Sequence, residues 1–320
     1  MLKTIWIIDG DWKEYEIEEK IIKENLPGHE IKYSGRDFHN DLEAFGKYAE
    51  AIIAQIDIKI SSDVIDKLEN CKVISVYGIG YDNIDVKYAK SKGIVVANVP
   101  GYCIEEVSDH VISFIFEFYK SLSSYKDKIK QGLWGVDAMD YIPKRIKDSV
   151  LFLVGFGKIA KLEAKKAKAL GMDVLVYDPY VNDTEFKDYG VRKVTLEEGL
   201  ELSDYVSIAV PLNENTRGMI GIKELKLMKK SAVLINASRG EIIIENDLIE
   251  AVKNRVIRGA GLDVVCNEPP NPESEILNVD NIIVTPHISY SSKESIIELR
   301  ETVALNVIEA LNNMKVKNSV

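Results

Sequence analysis

"LFLVGFGKIAKLEAKKAKALGMDVLVYDPY", residues 151 to 180, decides the fold. It opens on an apolar run that reads as a buried strand, turns at Gly155 and Gly157, and continues as a helix of good formers. A second strand follows and ends at Asp178. A glycine turn at a helix start lets backbone N–H groups approach a pyrophosphate, and the positive end of the helix dipole favours its charge. Gly155, Phe156, Gly157, Lys158 and Ile159 therefore form the candidate phosphate loop. The third glycine of the GxGxxG pattern is Ala160, an accepted replacement where helix and strand must pack closely. Asp178 is placed to accept hydrogen bonds from adenine ribose hydroxyls. Its charge repels a 2′-phosphate, and Pro179 and Tyr180 bring no compensating cation, so NAD is expected rather than NADP.

The same alternation runs outward in both directions. "TIWIID", "EIKYS", "AIIAQ", "KVISVY" and "IVVAN" form one series of strands, with helical stretches such as "KEYEIEEKIIKENL" between them. After a polar bridge, "DAMDYIPKRIKD", come "SVLFLVG", "MDVLVYD", "DYVSIAV", "SAVLINA", "RGAGLDVV" and "NIIVTPH". This rhythm predicts an α/β protein with two doubly wound parallel-sheet domains. One long helix is expected from about Ile104 to Lys130. The helical run "SKESIIELRETVALNVIEALNN" follows the last strand and suits packing on either unit.

A chain of 320 residues exceeds what one core usually fills, which agrees with two domains. The net charge of −10 argues against a nucleic-acid partner, whose backbone selects clustered Lys and Arg. Cys71, Cys103 and Cys266 show no CxxC spacing, as expected of a reducing cytoplasm rather than a disulfide framework. No signal-peptide pattern and no stretch fit to span a bilayer is visible, and no metal-ligand spacing occurs. His110 lies on an apolar helix and reads as a packed interface residue; His29 and His39 sit in polar surroundings and suggest nothing.

Open α/β sheets place ligands beyond the carboxyl ends of their strands. There "VLINASRGE" presents Arg239, "RGAGLDVVCNEPP" presents Asp263 and Glu268, and "NIIVTPHIS" presents His287. Alcohol dehydrogenation needs a base for the hydroxyl proton while hydride leaves for a nicotinamide, and an imidazole serves in both directions. A carboxylate on the other ring nitrogen fixes the tautomer and stabilises the imidazolium. A guanidinium holds a substrate carboxylate in a forked geometry.

In order along nearly the whole chain, "GIGYDNID", "NVPGYCIEEVSDH", "VGFGKIA", "VYDPY", "VPLNENTRGMI", "INASRGE", "GLDVVCNEP" and "TPHIS" resemble the motifs of the D-isomer-specific 2-hydroxyacid dehydrogenases. The likeness is nearest to the branch that includes the C-terminal-binding-protein corepressors and their dehydrogenase relatives. It implies that Arg239 binds the substrate carboxylate, that His287 is the acid/base and that Glu268 is its partner. Backbone amides around Tyr77, Gly78 and Ile79 would clasp the carboxylate from the other domain. Asp263 would hold the nicotinamide carboxamide, while Val107, Pro179, Pro211, Thr216, Ala237 and Ser238 would line the cofactor site. The resemblance also implies a Rossmann NAD domain over 99–289 and a discontinuous flavodoxin-like substrate domain over 1–98 and 290–320. It further implies a homodimer built through the helix from Ile104.

Phosphoglycerate dehydrogenases of this family carry arginines near Gln55 and Tyr77; both are uncharged here, which argues against a phosphorylated substrate. Ala209 stands where the family often has His. Trp134 and Tyr290 are placed either to wall an apolar side-chain pocket or to fill a helix interface. The expected activity is NAD-linked interconversion of a small D-2-hydroxy acid and its 2-keto acid. The alternative is an NADH-sensing, corepressor-like binding protein.

Overall fold

The computed structural model describes residues 3–320, which divide into two compact units. The first unit runs to Tyr102 and resumes at Ser291–Val320; the second is Cys103–Tyr290.

In the first unit the chain alternates β1 (Lys3–Ile8), α1 (Glu16–Asn25), β2 (His29–Ser34), α2 (His39–Ala44), β3 (Ala51–Gln55), α3 (Ser62–Ile65), β4 (Val73–Tyr77), α4 (Val86–Ser91) and β5 (Val95–Ala97). The five strands are parallel in the order β2-β1-β3-β4-β5, so the topological switch lies between β1 and β3. Strand residues alternate between faces. Trp6, Ile8, Ile52, Ala54, Ile74 and Val76 share one core with Phe38, Leu42, Val64 and Ala89 from the α2–α4 side. On the other face Tyr77 reaches α1 and Ser75 reaches Asn306 of the returning helix. The chain end completes the sheet: Ser319 bridges Ala97 in antiparallel fashion and the Val320 N–H donates to the Val96 carbonyl. That pairing covers part of the open edge of β5.

The second unit contains α5 (Ile104–Lys120), α6 (Leu122–Lys130), β6 (Val150–Val154), α7 (Lys158–Ala169), β7 (Asp173–Tyr177), α8 (Asp183–Asp188), β8 (Arg192–Lys193), α9 (Leu196–Leu202), β9 (Tyr205–Ile208), α10 (Ile222–Leu227), β10 (Val233–Asn236), α11 (Glu245–Lys253), β11 (Gly259–Leu262) and β12 (Ile282–Val284). Its seven parallel strands run β12-β11-β10-β9-β6-β7-β8, with the switch between β6 and β9. Ala160, Ala164 and Ala167 form the small-residue face of α7, and all three are buried against one side of this sheet. The helix α12 (Lys293–Leu311) then returns to the first unit, capped by Ser292, whose hydroxyl accepts the Ser295 N–H.

One expectation needs correction, and one strand was not foreseen. The helical run from Ile104 to Lys130 is broken at Ser121, which adopts a left-handed conformation (φ 50°) and closes α5 through its N–H to the Glu117 carbonyl. The Ser123 N–H and hydroxyl then take the Glu117 carboxylate, so serine side chains compete with helix continuation. The seventh strand, β8, is only two residues long and too short for any periodic signal. Among the described residues no helix is long and apolar enough to cross a membrane, and no group of three His, Cys, Asp or Glu could hold a metal ion.

Candidate active site

The phosphate-loop residues follow β6. Gly155 has φ 100°, and a Cβ there would lie 2.5 Å from the Ala209 carbonyl oxygen, so no other residue fits without moving β9. Gly157 caps α7, and a Cβ at that position would meet nothing within 4 Å, leaving room on the loop's outer side. Among the described residues no acceptor reaches the N–H groups of Gly157, Lys158 or Ile159. They form an anion cradle at the start of a twelve-residue helix. Phe156 contributes differently from expectation: its ring is 1% exposed and packs on Phe186 and Tyr189, and its N–H donates to Asp178 Oδ2 at 2.9 Å. Asp178 Oδ1 accepts the Tyr180 N–H, so this half-buried carboxylate braces the turn while each oxygen keeps acceptor capacity. Pro179 is exposed beside it. These residues fit a dinucleotide: free amides for phosphate and a carboxylate at the end of β7 for ribose hydroxyls.

The remaining loops are tied at the same carboxyl edge. The Thr216 hydroxyl donates to the Pro211 carbonyl at 2.6 Å, and the Ser238 hydroxyl donates to Ile208 O at 2.8 Å. The fully buried Asn236 accepts the Ser238 N–H and donates to Arg239 O, which fixes the turn carrying Ala237, Ser238 and Arg239. Arg239 is half-buried, with one Nη donating to Ser238 O. A Cβ on Gly240 would come within 2.1 Å of the Val265 backbone, so the Arg239 turn presses directly on the segment leading to Glu268. Val107, expected along the cofactor, is 6% exposed on α5 and presents little surface.

His287 Nδ1 lies 2.6 Å from Glu268 Oε2, and Glu268 Oε1 accepts the Val265 N–H. A carboxylate only accepts, so the proton sits on Nδ1 and leaves Nε2 for chemistry. The side chains of His287 and Glu268 are 24% and 32% exposed.

Asp263 departs from the expected part. Its side chain has no exposed surface. Oδ1 accepts the Thr285 hydroxyl at 2.6 Å and the Ile288 N–H at 2.9 Å; Oδ2 accepts the Ser289 N–H at 2.9 Å. Its carbonyl also accepts the His287 N–H. The carboxylate thus holds the histidine loop from inside rather than facing outward to a carboxamide. Sequence reading missed this, and missed His110, whose Nε2 reaches Thr285 Oγ1 at 2.9 Å.

In the first unit the Tyr77 side chain turns inward, its hydroxyl donating to Glu18 Oε1. The Gly78 N–H is taken by Val76 O. Among the described residues no acceptor reaches the Ile79 or Gly80 N–H, so the open amides lie one residue later than the Tyr77–Ile79 expectation. Gln55 is equally committed, donating to Asp9 Oδ1 and accepting the Ile56 N–H. Trp134 is 76% exposed.

Residues 112–289 match the family model described as "D-isomer specific 2-hydroxyacid dehydrogenase, NAD binding domain". The chain is 33% identical over 313 residues to a hydroxypyruvate reductase of Blautia hydrogenotrophica, covering 96% of this chain and 94% of that one. It is 32% identical over 271 residues to a D-3-phosphoglycerate dehydrogenase of Archaeoglobus fulgidus; the match takes in 85% of this chain but spans only 51% of that protein. In structure it resembles D-lactate dehydrogenase from Aquifex aeolicus complexed with NAD and lactic acid. The TM-score is 0.89 at 27% identity, over 99% of this chain and 98% of the other.

Proposed function

The chain belongs to the D-isomer-specific 2-hydroxyacid dehydrogenase family, and from that premise we propose how its residues interconvert a small D-2-hydroxy acid and its 2-keto acid. NAD, when bound, supplies or accepts the hydride at the substrate's C2. In the reducing direction the His287 Nε2 proton goes to the carbonyl oxygen as C2 gains hydride. In the oxidising direction the same nitrogen takes the hydroxyl proton. Glu268 keeps Nδ1 protonated and stabilises the imidazolium. Arg239 holds the substrate carboxylate. The single observation that carries this reading is the 2.6 Å His287–Glu268 pair. An NADH sensor has no chemical need for that pair, and the relatives named above are a reductase and dehydrogenases.

The substrate side chain is small and uncharged. Gln55 and Tyr77 are uncharged and spent on internal partners, Arg36 is paired with Asp11 and Asp57, and Arg300 with Glu14 and Glu18, which argues against a phosphate there. The test is NADH consumption with glyoxylate, hydroxypyruvate, pyruvate and 3-phosphohydroxypyruvate. Turnover on the unphosphorylated acids, falling by roughly 10²–10⁴ in His287→Ala, is expected. Unchanged turnover in that variant removes the histidine from the mechanism.

The protein is read as a cytoplasmic homodimer. Among the described residues no disulfide joins Cys71, Cys103 or Cys266, in keeping with a reducing compartment. The segment after α5 exposes Leu122, Ile129, Trp134, Val136 and Ile142, an apolar run suited to a second copy of the chain. Sedimentation at micromolar concentration should give a dimer that Trp134→Glu converts to monomer.

A further inference from the structure

We propose that α5 positions the catalytic histidine loop, through a ladder of contacts with β11 that ends in the relay His110–Thr285–Asp263. What the loop is for rests on the dehydrogenase reading; that α5 holds it does not.

The ladder begins with two glycines. A Cβ on Gly259 would lie 2.8 Å from Phe118, and one on Gly261 would lie 2.6 Å from Phe114. The next inward residue of the strand line is Asp263, and the next residue up the helix face is His110, whose Nε2 is 3.7 Å from Asp263 Oδ1. Helix residues 118, 114 and 110 thus face strand residues 259, 261 and 263. Four helical residues rise about 6 Å and two strand residues about 6.6 Å, so the two repeats stay in step for three rungs. The glycines let the rings press on the strand backbone, which fixes the height of α5 along β11. From the other side Lys166 of α7 donates to Ser108 Oγ, Asp109 Oδ1 and Glu105 O, anchoring the same helix.

At the top rung the proton order is determined. Thr285 Oγ1 donates to Asp263 Oδ1, so it accepts from His110 Nε2–H. The His110 ring stands edge-on to Phe114, at 4.8 Å between centroids and 86° between planes, and has little freedom to turn. Asp263 then gathers the Ile288 and Ser289 N–H groups and, through its carbonyl, the His287 N–H. His287 sits at φ 51°, a conformation that a non-glycine residue holds only when its surroundings over-determine it. The bracket supplies that constraint and aims the imidazole at Glu268. His110, Thr285 and Asp263 are therefore positioning residues.

Thr285→Val removes the hydroxyl at nearly constant volume, Thr285→Ser restores it, and His110→Phe removes the ring donor. Each is compared with wild type by amide hydrogen exchange at 287–289, by kcat with the preferred 2-keto acid, and by NADH affinity. In Thr285→Val the Ile288 and Ser289 amides should exchange about tenfold faster and kcat should fall about tenfold, with NADH affinity held within about threefold. Thr285→Ser should recover both readouts. Should Thr285→Val fail to fold, His110→Phe carries the same comparison. Wild-type exchange at 288 and 289 in the folded variants overturns the proposal. So does a serine variant no better than valine, or a kcat loss matched by an equal loss of NADH affinity. A wild-type protein that reduces no 2-keto acid, while its amides still respond to Thr285→Val, sinks the dehydrogenase reading and keeps the bracket.

Discussion

At the carboxyl end of the five-stranded sheet, Asp9, Gln55 and Tyr77 turn inward; at the carboxyl end of the seven-stranded sheet, Arg239 and His287 remain partly open and Glu268 is exposed. The inward set forms a closed network. Tyr77 donates to Glu18, and Arg300 of α12 grips both Glu18 oxygens through Nε and Nη2 while Nη1 takes Glu14. Glu18 has no exposed side-chain surface and Arg300 has 4%. Burial and the neighbouring Glu18 charge push the Tyr77 phenol up, so it stays a donor throughout the physiological range. The open set uses buried groups, Asn236 and Asp263, to hold turns whose outer side chains remain accessible. One architecture thus serves two purposes, according to whether polar residues at the strand ends meet each other or only brace a loop.

The largest expected effect tests the closed network. Arg300→Met leaves the Glu18 carboxylate buried without its cation and should cost about 3–5 kcal/mol in urea unfolding. Adding Glu18→Leu should recover much of the loss. NADH affinity should not change, because the second unit supplies that site; a variant of wild-type stability that loses NADH instead dissolves the contrast.

Glu163 sharpens it from the other side, as a buried acid of α7 that neither holds a loop nor meets a cation directly. Its Oε2 meets no well-formed hydrogen-bond partner, and burial raises its pKa to about 7, partly opposed by the nearby Ser207 hydroxyl and the Lys166 charge. A carboxyl whose folded pKa is raised binds more protons folded than unfolded, so its contribution is complete below about 4.5 and is lost as pH climbs through about 7. That loss is at most about 3 kcal/mol. Glu163→Gln should flatten the pH dependence of melting across this window and raise Tm at pH 8. Identical profiles for variant and wild type would show that the acid is not the source. The smallest effect is expected at the start of α12, where Ser292→Ala removes the cap on Ser295 and should cost about 1 kcal/mol by denaturant melt.

The sequence made legible whatever repeats or clusters locally. Strand–helix alternation revealed both parallel sheets, and the glycine turn with its downstream acid marked a loop whose open amides and half-buried carboxylate fit a dinucleotide. Arg239, Glu268 and His287 drew notice because each lies in a loop just beyond the carboxyl end of a strand. The missed features depend on distance or on single conformations. Glu18 and Arg300 are 282 positions apart, and nothing in either helix alone signals the pairing. Asp263 stands beside the right motif, but its inward orientation is set by Thr285 and the 288–289 amides. The Ser121 break hides inside a window whose apolar period continues on both sides. His110 was read as packed, and it is; its donor role needed the position of Thr285.

The sequence order of the first unit has a consequence for synthesis. Residues up to 102 leave the ribosome well before α12, yet Glu18 must wait for Arg300, and Ser75 and Asn98 must wait for Asn306. The second unit, contiguous from Cys103 to Tyr290, contains all its own strands and can close while the earlier sheet still lacks a covering helix. Vectorial folding here runs out of sequence order, with the first unit's sheet exposed until α12 is made.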